Sequence, residues 1–361
     1  MTAGTIIVTG AGGLVGSESV AYFIEAGFRV VGIDNDMRSY FFGEEASTAG
    51  RVERLERDYH GDFRCERIDI RDQERIDAVI RREKRDLVAV IHTAAQPSHD
   101  WAAKQPHLDF DTNARSTLNL LQAVRDHVPD ATFVFTSTNK VYGDRPNDLP
   151  LLEQDTRYEL PSSHKWFKGI DTSMSVDRSL HSLFGVSKLA ADLLVQEYGR
   201  YFQMPTVCFR AGCLTGPRHD GAELHGFLSY LVRCAVSGRE YTIYGYKGKQ
   251  VRDNLHSRDL VRAFHEVIQR PRIAAVYNIG GGRASNCSVL EAIEVCREVT
   301  GRELRYDVCD RARKGDHIWW ISDNSIFQAD YPGWRVTRNV RDIIEEIVAE
   351  NAERWVYEQC F

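Results

Sequence analysis

The sequence predicts an α/β protein: a Rossmann-type, doubly wound parallel sheet followed by a smaller α+β lobe. Three observations carry that reading. Short β-branched runs alternate with segments of helical period through the first 210 residues. The first run breaks into a glycine string that opens a helix. The second run closes on an aspartate.

Taken in order, Thr5-Ile-Ile-Val-Thr9 predicts the first strand, and residues 14–26 the helix after it. Further strands are expected at 28–34, 63–69, 87–92, 131–137 and 205–210, with helices at 72–83, 107–128 and 185–203. Near-continuous hydrophobicity in Phe133-Val134-Phe135 marks a strand covered on both faces. Beyond residue 210 the alternation loosens, with helices predicted at 222–237, 257–269, 288–300 and 338–356. The expected division is therefore 1–210 and 211–361, with some return of the later chain to the first domain. Residues 144–183 are polar and aromatic without a period, and a stretch of that length predicts a wall over a functional site.

The chain has 361 residues, 43% hydrophobic and 27% charged, which is ample for a large core. Its formal net charge of −6 argues against nucleic acid as a partner, and 10% aromatic residues exclude disorder. No run approaches a membrane span. The first strand begins so early that no signal peptide is expected. Eight cysteines contain no C-x-x-C pair, which predicts buried thiols in a cytoplasmic protein without a metal site.

Thr9-Gly10-Ala11-Gly12-Gly13-Leu14-Val15-Gly16 lies between the first strand and its helix. Gly10 permits a tight turn, Gly13 lets a pyrophosphate approach the backbone, and Gly16 lets the helix pack on the sheet. The helix start at Leu14 and Val15 offers N–H groups and partial positive charge to phosphates. Asp34 stands 18 residues beyond Gly16, where a carboxylate accepts ribose hydroxyls, with Asn35 beside it. Its charge would repel a 2′-phosphate, which favours NAD over NADP. Arg38 is placed to weaken that preference.

With these pieces, and a Tyr/Ser-x-x-x-Lys-type segment, the chain resembles the extended short-chain dehydrogenase/reductase superfamily, in particular its nucleotide-sugar enzymes. Asp69-Ile70-Arg71-Asp72 resembles the aspartate motif that reads adenine. His92-Thr93-Ala94-Ala95-Gln96 resembles the loop under the nicotinamide, and Asn113 falls where that family has a helix asparagine beside the active site. Thr138, in Thr136-Ser137-Thr138-Asn139-Lys140-Val141-Tyr142-Gly143, maps to the catalytic Ser/Thr. Arg252 and Arg313 lie in segments similar to the arginine motifs that grip a nucleotide diphosphate. Ser98, Asn139, His181, Cys213 and Leu224 are the further substrate-binding candidates.

Residues 137–144, 248–253 and 169–182 look most like the CDP-paratose 2-epimerase group. The 4,6-dehydratases of the superfamily carry an Asp-Glu pair after the catalytic Thr; here Asn139 and Lys140 stand there, which disfavours dehydration. The resemblance implies an NAD-dependent nucleotide-sugar epimerase. It also implies a homodimer through a four-helix contact of 107–128 and 185–203. In the second of these helices Leu189, Leu193, Leu194, Tyr198, Tyr201 and Phe202 cannot all face one way.

One position departs from the pattern. Tyr-x-x-x-Lys reads Phe184-Gly185-Val186-Ser187-Lys188 here, so the lysine that orients the nicotinamide ribose is present and the phenol is not. The two positions are one helical turn apart and share a face. A positioned general base supplies about 10²- to 10⁴-fold, so its loss costs roughly 3–5 kcal/mol of barrier. Three explanations stay open. Another group acts (Lys188, Tyr142, Lys140, His181 or Cys213), or Phe184 was introduced to trap a complex, or the chain has kept binding and given up redox chemistry.

Overall fold

The computed structural model describes residues 3–219, 221, 226–312 and 315–357, with 356–357 by backbone alone. The chain forms two compact units. The first comprises Met1–Val141, Ser182–Arg210 and Leu260–Tyr277, the second Tyr142–His181, Ala211–Asp259 and Asn278–Phe361.

Up to the first unit boundary the strands are β1 (Thr5–Thr9), β2 (Arg29–Ile33), β3 (Phe63–Glu66), β4 (Leu87–His92) and β5 (Thr132–Thr138). The helices there are α1 (Leu14–Glu25), α2 (Met37–Phe42), α3 (Ala49–Asp58), α4 (Gln73–Glu83), α5 (His99–Lys104), α6 (Pro106–Phe110) and α7 (Ser116–His127). A short hairpin, β6 (Leu152–Glu153) and β7 (Tyr158–Glu159), belongs to the second unit. Then come α8 (Ser182–Phe202), β8 (Thr206–Ala211), β9 (Cys213–Thr215), α9 (Phe227–Ser237), β10 (Tyr241–Tyr244), β11 (Val251–His256), α10 (Ser257–Gln269) and β12 (Ala275–Ile279). The last elements are β13 (Asn286–Ser288), α11 (Val289–Thr300), β14 (Tyr306–Cys309), β15 (Trp319–Trp320), α12 (Ser325–Asp330) and α13 (Val340–Tyr357).

Seven strands make the main sheet in the order β12-β8-β5-β4-β1-β2-β3. The pairs β2/β3, β1/β2, β1/β4 and β4/β5 are parallel. Every residue of β1 is buried, as its unbroken Thr-Ile-Ile-Val-Thr run requires of a central strand. Strand order reverses between β1 and β4. Their following loops therefore part at the carboxyl edge and leave the crevice where such folds take ligands. Ile7, Val31, Val90, Phe133, Leu120 and Val195 are among the residues packing the sheet to its helices.

The predicted strands and helices recur here with several local differences, and α5 is a further helix without a predicted counterpart. β3 stops at Glu66, because the chain turns there and the Ile68 N–H donates to the Glu66 carbonyl (2.9 Å). The 107–128 period runs through α6, one π turn (Asp111–Arg115) and α7 instead of a single regular helix. Helices α2 and α3 were not foreseen. Their segment is held by the carboxylate of Asp36, which accepts from Ser47 Oγ (2.7 Å) and Thr48 N (2.6 Å) rather than by an apolar stripe alone.

In the second unit β11 is the hub, pairing with β13 antiparallel and with β15 and β9 in parallel. Its core joins Leu231, Val232, Ile243, Ala292, Ile343, Ile347 and Trp355. Helix α11 starts at a capping box of Ser288 and Glu291 and ends at Gly301 in the left-handed region. Among the described residues no helix is long and apolar enough to cross a membrane.

Candidate active site

At the carboxyl end of β1, Gly10 turns the chain at φ +68°, and a Cβ there would lie 2.9 Å from the Ala94 backbone. Gly13 is the N-cap of α1 and has no side chain to offer the first-turn N–H groups at Leu14 and Val15. Such a start suits an anion that accepts from backbone amides. Asp34 organises the loop: Oδ2 accepts from Gly12 N (2.8 Å), and Oδ1 from Asp36 N (2.9 Å) and Thr48 Oγ1 (3.1 Å). A carboxylate takes about four donors, so capacity remains for a sugar hydroxyl. These groups fit a dinucleotide.

The neighbouring predicted residues are more committed. Asp69 is filled by Arg71 and by Asn35 Nδ2 (3.0 Å), and Ile70 is buried beside it. Arg38 lies over the Phe42 ring, 5.2 Å from its centroid.

The loop after β4 is tied down from both sides. His92 bridges Thr9 Oγ1 (2.7 Å) and Thr117 Oγ1 (3.0 Å), and Ala94 N donates to Thr9 Oγ1 (3.2 Å). Burial, with the charge of Lys188 adding to it, holds the His92 imidazole down to about 3, so it is neutral. Beyond Ala95, Gln96 N donates to Asn113 Oδ1 (2.9 Å), while Asn113 Nδ2 reaches Gln96 O, Asp109 Oδ1 and Ser187 Oγ (each 3.0 Å). Asn113 sits in the π turn, a widening that recurs at functional sites. Ser98 caps α5, accepting from Trp101 N (3.3 Å).

Thr138 ends β5, where its Oγ1 accepts from Lys140 N (3.2 Å), and Asn139 beside it is buried. Lys188, on α8, sends Nζ to the Thr136 carbonyl (2.9 Å). Burial brings its ammonium down to about 8 against the opposing pull of the Asp192 carboxylate. Asp192 is itself held by Arg210 (2.8 Å) and Ser137 Oγ (2.6 Å). Phe184 is buried and meets the His99 imidazole at 5.0 Å between centroids.

In the second unit, Arg252 is buried and ion-paired with Asp316, Cys213 is half-buried opposite Asn254, and His181 Nδ1 bonds the Ser179 carbonyl (2.9 Å). Tyr142 is wholly buried, its hydroxyl donating to Asn278 Oδ1 (2.7 Å). Leu224 and Arg313 lie outside the described residues.

Sequence reasoning missed Asp109, Asp192 and Thr117. The signal was available for two of them: Asp109 stands one turn before Asn113 and Asp192 one turn after Lys188, on shared helix faces.

A glycine-loop helix at the reversal of a parallel sheet, with a carboxylate ending the second strand, defines a Rossmann-type protein of the dinucleotide-binding class. Residues 6–280 match the NAD dependent epimerase/dehydratase family, and the chain belongs to it. Among curated proteins it is similar to a CDP-paratose 2-epimerase of Salmonella typhi, 29% identical over 326 residues, 88% of this chain and 90% of the relative. It is also similar to a UDP-glucose 4-epimerase of Drosophila melanogaster, 27% identical over 95% of each chain. Among solved structures, a Thermus thermophilus UDP-glucose 4-epimerase in complex with NAD superposes with TM-score 0.76 at 22% identity, covering 96% of this chain and 98% of that one. At that identity the likeness establishes the fold.

Proposed function

We propose that the chain is an NAD-dependent nucleotide-sugar epimerase, most like the CDP-paratose 2-epimerases, working by transient oxidation to a keto-sugar and re-reduction. The observation that carries the reading is the meeting, in one unit, of a dinucleotide cradle with a buried lysine under the end of β5. Bound NAD supplies an acceptor that holds a hydride and can return it.

The chain's own residues divide the remaining work. Gly10, Gly13, Leu14 and Val15 hold the pyrophosphate. Asp34, Asn35 and Arg38 surround the adenosine ribose, with Asp69 and Ile70 at the adenine. Ala94, Ala95, Gln96 and Asn113 support the nicotinamide, and Lys188 its ribose. Thr138 bonds the reacting sugar hydroxyl. Substrate contacts fall to Ser98, Asn139, His181, Cys213, Leu224, Arg252 and Arg313, whose guanidinium groups match phosphate oxygens. The working form on this reading is a cytoplasmic homodimer.

Incubation with CDP-paratose, UDP-glucose and dTDP-glucose tests it through product mass and transient reduced-nicotinamide absorbance. Unchanged mass with a new stereoisomer supports epimerisation, and loss of water or hydrogen points to a dehydratase or dehydrogenase. One observation favours a second reading, a protein that binds nucleotide sugars without turnover: Phe184 has no proton to exchange. Binding without product or absorbance change would select it.

A further inference from the structure

We infer that the His99 imidazole takes the place of the missing phenol as the acid–base group for the sugar hydroxyl. The inference rests on the epimerase reading. Position 184 is where a proton-transfer group is needed, one turn before Lys188, and the side chain packed against Phe184 is an imidazole. The two rings meet at 69° with centroids 5.0 Å apart. Of the side chains that substitute on sequence grounds, Tyr142 is buried with its hydroxyl given to Asn278, and Lys188 directs its ammonium to Thr136 O.

His99 is also oriented as a base must be. Its Nδ1 lies 2.8 Å from Ser182 Oγ, at the start of the same helix that carries Phe184 and Lys188. Ser182 holds a left-handed backbone (φ +60°), and its Oγ also accepts from Gly185 N (3.3 Å). Fixing one ring nitrogen by a third group is how a positioned histidine base is oriented. The backbone under His99 is equally fixed. Ser98 N donates to Gln96 Oε1 (2.5 Å), Trp101 Nε1 donates to Phe41 O (2.6 Å), and the Gln96–Asn113–Ser187 network ties this loop to α8. His99 is only half-buried, so a ligand can reach it.

In the tautomer where Nδ1–H donates to Ser182, Nε2 accepts the proton of the sugar hydroxyl. The hydroxyl O–H bond would break as the N–H bond forms, while NAD held by the residues named above would supply the acceptor for the hydrogen that leaves the carbon as hydride, leaving C=O. On the return, the imidazolium would give its proton back to the oxygen as the carbonyl is reduced.

The test compares three full-length chains with NAD and CDP-paratose, UDP-glucose and dTDP-glucose: the parent, His99→Asn, and the double change His99→Asn with Phe184→Tyr. The expected result is a kcat at least about 10²-fold lower in His99→Asn with KM within about threefold, and recovery of about tenfold or more in the double variant. A purely structural histidine would not be rescued by a phenol at 184. Independently of turnover, the imidazole C–H resonance that His99→Asn removes should shift when the active sugar nucleotide is added to the parent. Turnover by the parent with an unimpaired His99→Asn chain, failure of the tyrosine to rescue, or an unmoved resonance overturns the role of His99 and leaves the epimerase reading standing. No turnover by the parent on any of the three overturns both.

Discussion

Lys188 Nζ donates to the Thr136 carbonyl at 2.9 Å and lies 4.2 Å from the centroid of the Phe135 ring. An ammonium held so deep is costly, and burial lowers it from 10.5 to about 8. The unfolded chain binds more protons than the folded one between those values, so this group makes stability rise with pH across about 8 to 10.5. Below about pH 8 the full cost, on the order of 3 kcal/mol, is present. Lys188→Met removes the charge and leaves Thr136 without its donor. That second effect does not titrate. The Tm of the variant minus that of the parent should therefore be more positive at pH 7 than at pH 10, and a flat difference by calorimetry would reject the buried-charge account.

His92 acts in the same direction over a lower pH window. Thr9 and Thr117 satisfy its two ring nitrogens, and burial depresses it to about 3. Above about pH 6.5 the ring is neutral in both states, so it carries no penalty. As pH falls from there toward 3 the unfolded chain gains a proton that the folded one refuses, and stability drops by up to about 1.4 kcal/mol per pH unit from this group. NMR of the imidazole signals should show one ring that does not titrate between pH 7 and pH 4, lost in His92→Gln. A His92 signal that moves within that range contradicts the assignment.

These two residues also show what the sequence made legible. Strands β1 to β5 and the glycine loop announce themselves because buried parallel strands are apolar throughout and the loop's glycines answer local steric needs. Asp34 was readable by its spacing from the glycine loop, and Lys188 and Phe184 by resemblance to the Tyr-x-x-x-Lys pattern. The networks were not: His92 meets Thr117 and Asn113 meets Ser187 across 25 and 74 residues of chain, which no local pattern encodes. The π turn at Asn113 was hidden by a helical period that continues on both sides of it. Likewise the ion pair of Arg252 with Asp316 joins residues 64 positions apart.

Two glycines should respond to alanine with opposite signs. A Cβ at Gly16 would stand 2.0 Å from the Gly10 carbonyl oxygen, and backbone cannot yield there without opening the loop from its helix. Gly16→Ala should cost about 3 kcal/mol or more and weaken NAD binding in parallel. Gly50, inside α3, has nothing within 4 Å of an added Cβ, and Gly50→Ala should stabilise by about 0.5–1 kcal/mol. Denaturant titration measures both. A Gly16→Ala protein as stable as the parent would mean that the loop is not packed as described.

The outer face of α8 sets the last expectation. Leu183, Val186, Leu193 and Tyr201 are 48%, 47%, 46% and 80% exposed, whereas Val195 and Tyr198 turn inward to the sheet. At 100° per residue the four exposed side chains fall on one stripe less than about 100° wide, the width of a face that packs on something. Glu197 and Arg200, paired at 2.8 Å, lie in the same stripe. Leu118 on α7 and Phe110 on α6 are exposed as well, at 38% and 47%. A second copy brought up about a two-fold axis would cover such a face with its own equivalent, giving the homodimer. Leu193→Glu places a charge mid-stripe at a side chain already half in water, so the subunit itself should lose little stability. Sedimentation velocity should show the parent at twice the mass of the chain and the variant at the chain mass. A parent that sediments as a monomer, or a variant that stays dimeric, removes this face from the interface.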